Sequence, residues 1–177
     1  MRRALLQLVE QKPLDQISIQ EITSVAGLSY PTFFRQFSSK ENLLDDIAHE
    51  ELHNLQSLTI PLFDDNEPHK AYSALCHYVD NHRTLWTTLL TAGAASTMRE
   101  ELIRIASEMG RDRKHPDSQA HFWLPNDLAS RFVVSTIFEI LAWWLRQPRD
   151  YPIENIKTLL DVLVVRSTTQ PKDVKLI

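Results

Sequence analysis

The stretch SIQEITSVAGLSYPTFFRQF, residues 18–37, contains two short helical segments separated by a turn. Ser18 and Glu21 have the spacing of a capping box, in which each side chain bonds a backbone amide at the start of a helix. Gly27 supplies the left-handed residue that ends this helix, and Ser29 can cap the next one. Two short helices joined by a tight turn that contains glycine indicate a helix-turn-helix.

A further helix is predicted on each side of this stretch. Leu5, Leu8 and Val9 form an apolar stripe at helical spacing, which predicts a first helix over residues 2–12. Ser38 with Glu41 repeats the capping-box spacing and predicts a fourth helix that runs to about residue 59, before Pro61. Three helices therefore form an N-terminal head, and the fourth leads out of it.

The rest of the chain is divided into helical segments by proline-containing turns. The predicted helices lie at about residues 67–81, 83–92, 97–111, 125–147 and 152–167. No strand is predicted. The expected fold class is therefore all-α with about nine helices, comprising a three-helix helix-turn-helix head at residues 1–45 and a C-terminal helical bundle at residues 46–177.

The composition favours a soluble protein rather than a disordered or membrane-spanning one. Hydrophobic residues make up 43% and charged residues 24% of the 177 residues. No apolar run reaches the ~18 residues that a membrane span needs. Cys76 is the only cysteine, which excludes an internal disulfide and a cysteine-based zinc cluster and fits a reducing compartment. We therefore expect a cytoplasmic protein with no membrane partner.

Charge is distributed unevenly along the chain. Residues 1–40 contain five basic and three acidic residues, a net charge of +2, whereas the remainder contains 14 basic and 20 acidic residues, a net charge of −6. A small positive head on an acidic body is the asymmetry expected when only one end of a protein meets a polyanion.

The second helix of the helix-turn-helix has two chemically different faces. Leu28, Phe33 and Phe37 are expected to pack against the first two helices. The opposite face carries residue types that contact phosphates, base edges or thymine methyl groups in DNA: Ser29, Tyr30, Thr32, Arg35 and Gln36. The alternative interpretation is an amphipathic helix with an ordinary solvated face, which any helical bundle could contain.

The segment IQEITSVAGLSYPTFFRQFSSKENLLDDI resembles the DNA-binding domain of the TetR family of transcriptional regulators. The resemblance covers residues 3–48, and the segment HYVDNHRTLWTTLL and the two closing helices are more weakly similar to the family's regulatory region. It implies that DNA is contacted by Ser18, Ser29, Tyr30, Pro31, Thr32, Phe34, Gln36 and Lys40, with Lys40 on a phosphate. Arg3 and Arg35 join this set as basic residues of the head.

Two features depart from the family pattern. Phe34 stands where the family usually has tyrosine, so a hydroxyl that would bond a phosphate is missing. The basic arm before the first helix is short, with only Met1, Arg2 and Arg3. Either DNA binding is weaker than in relatives, or the native start lies upstream.

The aromatic residues of the helical bundle could form an effector pocket. An apolar small molecule could be held by a set of aromatic and neighbouring side chains: Tyr72, His77, Tyr78, Trp86, Met98, Phe122, Trp123, Phe138 and Trp143. Ordinary core packing is the alternative for each of these residues. No cofactor is expected.

The last two helices are apolar on more than one face, so they must be covered on both sides. A four-helix bundle made of two helices from each of two chains would cover them. The predicted homodimer interface comprises Phe132, Val133, Ile137, Ile140, Leu141, Trp144, Leu159, Leu160, Leu163 and Val164. A deep core within a monomer is the alternative.

The sequence HEELH, residues 49–53, has the pattern of a zinc protease, because His49 and His53 are one helical turn apart and Glu50 could act as a general base. No third ligand is selected by spacing, and no strand is predicted to hold a peptide. A solvated helix surface is therefore the favoured interpretation, and neither a metal nor an enzymatic activity is expected.

These observations lead to one expected function and two alternatives. We expect a homodimeric repressor that binds a near-palindromic operator in double-stranded DNA and is released by a small-molecule effector. The first alternative is a helical ligand-binding or scaffolding dimer that no longer reads DNA. The second, more remote, is a zinc hydrolase that uses HEELH.

Overall fold

The computed structural model describes residues 1–64, 67–91, 94–112 and 124–169, and within these ranges it contains helices and no strand. The helices are α1 (Arg2–Val9), α2 (Ile19–Val25), α3 (Tyr30–Phe34), α4 (Lys40–Asp64), α5 (Pro68–Asn81), α6 (Arg83–Thr91), α7 (Ala95–Asp112), α8 (Asn126–Leu145) and α9 (Ile153–Leu160). A 3₁₀ turn, Leu14–Gln16, follows α1, and α9 continues through the π-helical segment Asp161–Arg166 into Ser167–Thr169. The predicted all-α fold class is confirmed.

The capping box at the start of α2 is present as predicted. The amide of Glu21 donates to Ser18 Oγ at 3.2 Å, and the amide of Ser18 donates to Glu21 Oε2 at 2.9 Å. Gly27 ends the helix with a φ of 64°, a conformation that costs other residues a steric clash of Cβ. The local sequence therefore determines both ends of α2.

Helix α4 differs from its prediction at both ends. Its first amides are capped by Ser39, whose Oγ accepts from the amide of Asn42 at 3.1 Å, rather than by Ser38. The helix also continues through Pro61 to Asp64. Proline removes one backbone donor, and this loss falls in the last turns of a 25-residue helix, where packing against α5 maintains the helical geometry. The predicted boundary between residues 45 and 46 thus lies inside one continuous helix.

The core of the head is formed where α1, α2, α3 and α4 meet. Leu5, Ile22, Phe33 and Leu43 are fully buried in it. Leu28, which we expected to pack against the same core, is instead exposed. It follows Gly27, and the change of backbone direction at the left-handed glycine places it on the outer side of the turn.

In the body, α4 packs on α5 and α7 packs on α8, while α6 lies between the head and α8. Arg83 at the start of α6 connects this helix to the end of α8. Its Nη2 donates to the carbonyls of Trp144 at 2.8 Å and Gln147 at 3.0 Å, and its guanidinium lies 5.2 Å from the centre of the Trp144 ring. The Trp144 carbonyl also accepts the amide of Gln147 at 2.9 Å, and the bond from Arg83 to the Gln147 carbonyl lies just beyond the end of α8.

Helix α8 is long and apolar enough to cross a membrane by length and composition, with a mean hydropathy of 1.4. This is weak evidence, because core helices of soluble proteins meet the same criterion. Much of α8 is buried against α6, α7 and α9, which is the arrangement of a core helix.

Candidate nucleic-acid interface

Helix α3 presents one face to the core and the opposite face to solvent. Phe33 is fully buried, whereas Tyr30 is 51% exposed and Phe34 is 48% exposed. Pro31, Arg35 and Gln36 are also exposed. The residues predicted to contact DNA on α3 are therefore accessible together on the outside of the head, and the buried Phe33 anchors the helix from the other side.

Aromatic contacts hold the exposed rings in place. The ring centres of Tyr30 and Phe34 lie 5.2 Å apart in an edge-to-face arrangement, and Phe34 lies 5.4 Å from the buried Phe33. Phe33 in turn contacts Phe37 at 5.9 Å. Because Tyr30 and Phe34 are four residues apart on a helix, they share one side of it.

The polar side chains of α3 bond to one another. Ser29 Oγ and Thr32 Oγ1 are 2.8 Å apart, and Arg35 Nη2 donates to Thr32 Oγ1 at 3.2 Å. Gln36 lies beyond this group and lines a cleft of about 790 Å³ that also includes Arg3 and Val25. The structure thus brings Arg3, predicted from the N-terminal arm, close to the end of the recognition helix.

Ser18 is exposed, but its hydroxyl belongs to the capping box of α2. Glu21, the other member of that box, also accepts a hydrogen bond from Lys12. This bond from Lys12, followed by those from the Ser18 backbone and side chain, lowers the pKa of Glu21 to about 2. Ser18 and Lys12 therefore stabilise the carboxylate that caps α2.

The ammonium group of Lys40 points into the head. Its Nζ donates to the carbonyls of Leu14 at 2.8 Å, Asp15 at 3.2 Å and Ile17 at 3.0 Å. All three ammonium protons are used in these bonds. In this conformation Lys40 fastens the start of α4 to the 3₁₀ turn, and a phosphate would have to compete with three backbone carbonyls for it.

The two N-terminal arginines have different environments. Arg2 forms ion pairs with Asp46 and Glu50 on α4, at 2.8 Å for its Nη1 and Glu50 Oε2. The hydrogen bond from Arg2 lowers the pKa of Asp46. Arg3 is exposed and makes no ion pair with another residue in the described ranges. Arg3 is therefore the arginine of the short arm that is available to a phosphate.

The residues predicted for an effector pocket differ in their burial. Tyr72, Trp86, Met98 and Phe138 are buried in the body. His77 and Trp143 are exposed, because the helical period turns them away from buried neighbours, and His77 Nε2 lies 3.2 Å from Lys157 Nζ. Phe122 and Trp123 lie outside the described residues. A second cleft, of about 880 Å³ between the head and α6, contains none of the predicted pocket residues.

The residues predicted for a dimer interface divide into an inner and an outer group. The inner group is buried within the single chain and consists of Ile140, Leu141, Trp144, Leu160 and Val164. The outer group is exposed or half-buried and consists of Phe132, Val133, Ile137, Leu159 and Leu163. Within the single chain Trp144 is buried in the core, and Trp143 is at the surface, edge-on to Tyr151.

HEELH lies on α4 without a metal-binding arrangement. The ring Nδ1 of His49 lies 2.7 Å from the carbonyl oxygen of Asp45, and Glu50 is paired with Arg2. Within the residues that the structure describes, no group of three His, Cys, Asp or Glu side chains could hold a metal ion. His49 and His53 are both exposed, which matches the solvated helix surface favoured for these two residues by the sequence.

Glu51, inside the same motif, was not singled out by the sequence patterns. Its side chain is largely buried between α4 and α5, where Oε2 accepts a hydrogen bond from the hydroxyl of Tyr78 at 2.8 Å. Burial, followed by this bond, raises the pKa of Tyr78 to about 12. The available signal was spacing, because Ile47, Glu51 and Leu55 recur every four residues and place a carboxylate in an apolar stripe.

Residues 2–47 match the sequence profile of bacterial regulatory proteins of the TetR family. A comparison with curated protein sequences gave no match. The fold resembles FadR of Thermus thermophilus, a TetR-family repressor solved with lauroyl-CoA, at 16% identity, TM-score 0.69 and coverage of 99% of this chain and 96% of that chain.

Two other similar structures have the same architecture. NalD of Pseudomonas aeruginosa, the secondary repressor of the MexAB-OprM multidrug efflux pump, aligns at 17% identity and TM-score 0.68, covering 96% of this chain and 95% of that one. DhaS, an activator of a dihydroxyacetone kinase operon, aligns at 16% identity and TM-score 0.62, covering 94% and 93%. The chain thus matches the TetR family profile over its helix-turn-helix, residues 2–47, and as a whole it has the fold of these three regulators.

Proposed function

We propose that the chain is a cytoplasmic homodimeric repressor that binds a near-palindromic DNA operator through α3 and leaves it when a small molecule binds the body. The observation that carries the proposal is the orientation of α3. Its buried face is anchored by Phe33, and its outer face presents Tyr30, Phe34 and Arg35 to solvent. Recognition helices of helix-turn-helix proteins enter the major groove with such a face.

Dimerisation would place two copies of α3 about 34–36 Å apart, the spacing of successive major grooves on one side of DNA. The support for a dimer is the apolar surface on the outer side of α8 and the π-helical segment after α9. Leu128, Phe132, Val162 and Leu163 are each at least 40% exposed there. An isologous contact between two such surfaces would cover them in a four-helix arrangement.

The interior of the body supports an effector site. The indole N–H of Trp86 is buried and has no hydrogen-bond acceptor among the described residues. Its ring lies edge-on to Tyr78, 6.4 Å between centres, and Tyr78 donates to the buried carboxylate of Glu51. A ligand with an acceptor for Trp86 would gain a bond that the chain alone lacks. That FadR was solved with lauroyl-CoA agrees with an apolar effector.

An effector can weaken DNA binding only if it binds the released state more tightly than the bound one. Helix α4 is shared by the head and the body, so a shift of its body end would change the orientation of the head. Repression is supported by the two structural neighbours that are named repressors, whereas the third is named an activator. Reporter expression with and without the protein would distinguish the two modes.

The central test is binding of the purified full chain to fluorescent duplexes from the regions that flank its own gene. We expect a specific fragment to be retained against excess unrelated DNA. Arg35→Ala should weaken binding by about 10- to 100-fold, the range expected for losing one good base or phosphate contact. The matched control is Arg111→Ala, which removes an exposed arginine from α7 in the body and should leave the affinity unchanged.

The same assay separates the proposal from its alternatives. A folded dimer that retains no fragment at low salt would favour the scaffolding protein that no longer reads DNA. An equal loss of DNA affinity in Arg35→Ala and Arg111→Ala would show that α3 is not part of the DNA-binding surface. For the zinc hydrolase, metal analysis of the purified protein would have to find about one zinc per chain that disappears in His49→Ala.

A further inference from the structure

The outer surface of α3 is dominated by two aromatic rings rather than by hydrogen-bonding groups. Tyr30 and Phe34 are each about half exposed, and their rings are held edge-to-face 5.2 Å apart. The buried Phe33 lies beneath Phe34 at 5.4 Å and restricts its movement. The pair therefore forms a rigid apolar projection on the side of the head that would meet DNA.

Two of the side chains that could read base edges by hydrogen bonding, Ser29 and Thr32, are bonded to each other, whereas Gln36 is exposed at the end of α3. Thr32 Oγ1 is bonded to both Ser29 Oγ and Arg35 Nη2. Reading a base with Thr32 or Ser29 would first require breaking a bond inside the protein. An apolar contact between the aromatic rings and a base does not require any of these hydrogen bonds to break.

The head also has few cations to offer to phosphates. Of its five basic residues, Lys12 is paired with Glu21, Arg2 is paired with Asp46 and Glu50, and Lys40 donates to three carbonyls. Arg3 and Arg35 remain without an acidic partner in the part of the chain that the structure describes. Sequence-independent attraction should therefore be modest, which increases the share of affinity that must come from apolar contacts.

We infer that the Tyr30–Phe34 pair reads thymine C5-methyl groups, so that each operator half-site has A·T pairs where α3 enters the major groove. Among the groups that bases present in that groove, the thymine methyl is the apolar one, and aromatic side chains contact it. The inference rests on the proposed function, since it specifies which bases the proposed DNA contact selects. It also gives Phe34 a role that does not need the missing tyrosine hydroxyl.

The test begins with selection of bound duplexes from a random-sequence library by the full-length protein. We expect A·T pairs to be enriched at the centre of each half-site. The selected duplex is then made with deoxyuridine in place of each thymidine, which removes the methyl and keeps every hydrogen-bonding group. Affinity should fall about fourfold for each methyl that is buried against an aromatic ring.

Substitutions in the protein test whether the aromatic rings cause this loss of affinity for the uracil duplex. Phe34→Ala should lose the part of the thymine preference that comes from methyls against its own ring and keep the part that comes from Tyr30. Phe34→Tyr keeps the ring and should keep the preference for thymine. Arg35→Ala should weaken both duplexes by the same factor, because a phosphate contact does not depend on the methyl. Circular dichroism of the variants should match the wild type, since both altered side chains are exposed.

The outcomes separate the inference from the function on which it rests. Specific binding with equal affinity for thymine and uracil duplexes would overturn methyl reading and leave the proposed function intact. A thymine preference that is undiminished in both Phe34→Ala and Tyr30→Ala would also overturn it. Failure to select any duplex at low salt would overturn the proposed function, and with it the inference.

Discussion

Lys40 illustrates how a residue at the expected position can face a different partner. The resemblance placed its ammonium group on a phosphate, and the structure directs it to the carbonyls of Leu14, Asp15 and Ile17. Local sequence could not show this, because the carbonyls are 23 to 26 residues away along the chain. We therefore expect Lys40 to stabilise the fold of the head, in addition to any contact that it makes with DNA.

Replacing Lys40 with alanine would remove the donor from two part-buried carbonyls, of Leu14 and Ile17, and from the exposed carbonyl of Asp15. We expect Lys40→Ala to lower the free energy of unfolding by about 2 kcal/mol, the scale of losing hydrogen bonds to a charged group. Urea denaturation of the full chain measures this change. Lys70→Ala, which removes a lysine exposed on α5, should change stability by less than about 0.5 kcal/mol. Equal stability of the two variants would contradict the role assigned to Lys40.

The lowered pKa of Glu21 predicts that the folded protein loses stability in acid. Its pKa is lowered from 4.5 to about 2 in the folded protein, so the unfolded chain takes up a proton at a higher pH than the folded one. The stabilisation is therefore complete above the unfolded pKa of 4.5 and is lost as the pH falls toward 2. Thermal unfolding of Glu21→Gln should show a lower Tm than the wild type above pH 5. The difference should shrink steadily as the pH falls below 4.5, and a difference independent of pH would contradict this assignment.

Helix α4 is the element that joins the two parts of the molecule. Its first turns carry Asp46 and Glu50, which pair with Arg2 of α1, and its middle carries Glu51, which bonds Tyr78 of α5. Contacts with the head and with the body thus alternate within six residues of one rigid helix. Helix α4 therefore directly connects the α5 contact of the body with the α1 contact of the head.

The Glu51–Tyr78 hydrogen bond should stabilise the contact between α4 and α5. We expect Tyr78→Phe to lower the free energy of unfolding by about 1–2 kcal/mol, because the buried carboxylate loses its donor. A double-mutant cycle with Glu51→Gln should give a coupling energy above about 0.5 kcal/mol. Tyr30→Phe, which removes an exposed hydroxyl, is the matched control and should leave stability unchanged. Additive effects of the two body substitutions would show that the pair is not coupled.

At the scale of the whole molecule, a group of apolar side chains remains exposed to solvent in the single chain. The core of the single chain already contains Trp86 and Trp144, yet Leu128, Phe132, Val162 and Leu163 stay exposed on α8 and the π-helical segment. The π-helical stretch Asp161–Arg166 changes the helical period and leaves two consecutive apolar residues outside. Exposed apolar side chains on adjoining elements are the kind of surface on which we propose that a second copy packs.

If a second copy covers that surface, a charge at its centre should prevent assembly. We expect the wild type to sediment as a dimer at micromolar concentration and Phe132→Glu to sediment as a folded monomer, because a carboxylate would be desolvated in the interface. Leu58→Glu, at a similarly exposed leucine on α4, should remain a dimer. A monomeric wild type, or a dimeric Phe132→Glu, would contradict the proposed interface.

Prediction from sequence succeeded where the signal was local. The capping box of α2, the left-handed Gly27 and the buried side of Phe33 follow from spacing over a few residues, and the structure confirms each of them. Prediction was wrong for Leu28 and for the cap of α4. Each of these depends on the direction of the chain after a turn or on which side of a helix meets the core.

The sequence by itself determined that this protein is helical, that its head contains a helix-turn-helix and which residue types lie on the recognition helix. It did so because caps, glycine conformation and apolar periodicity act over one or two helical turns. Only the tertiary structure decided that Lys40 faces inward, that Trp144 rather than Trp143 is buried and that Tyr30 and Phe34 form one exposed pair. Those outcomes depend on contacts and orientations in the folded chain, and neighbouring residues along the chain do not specify them.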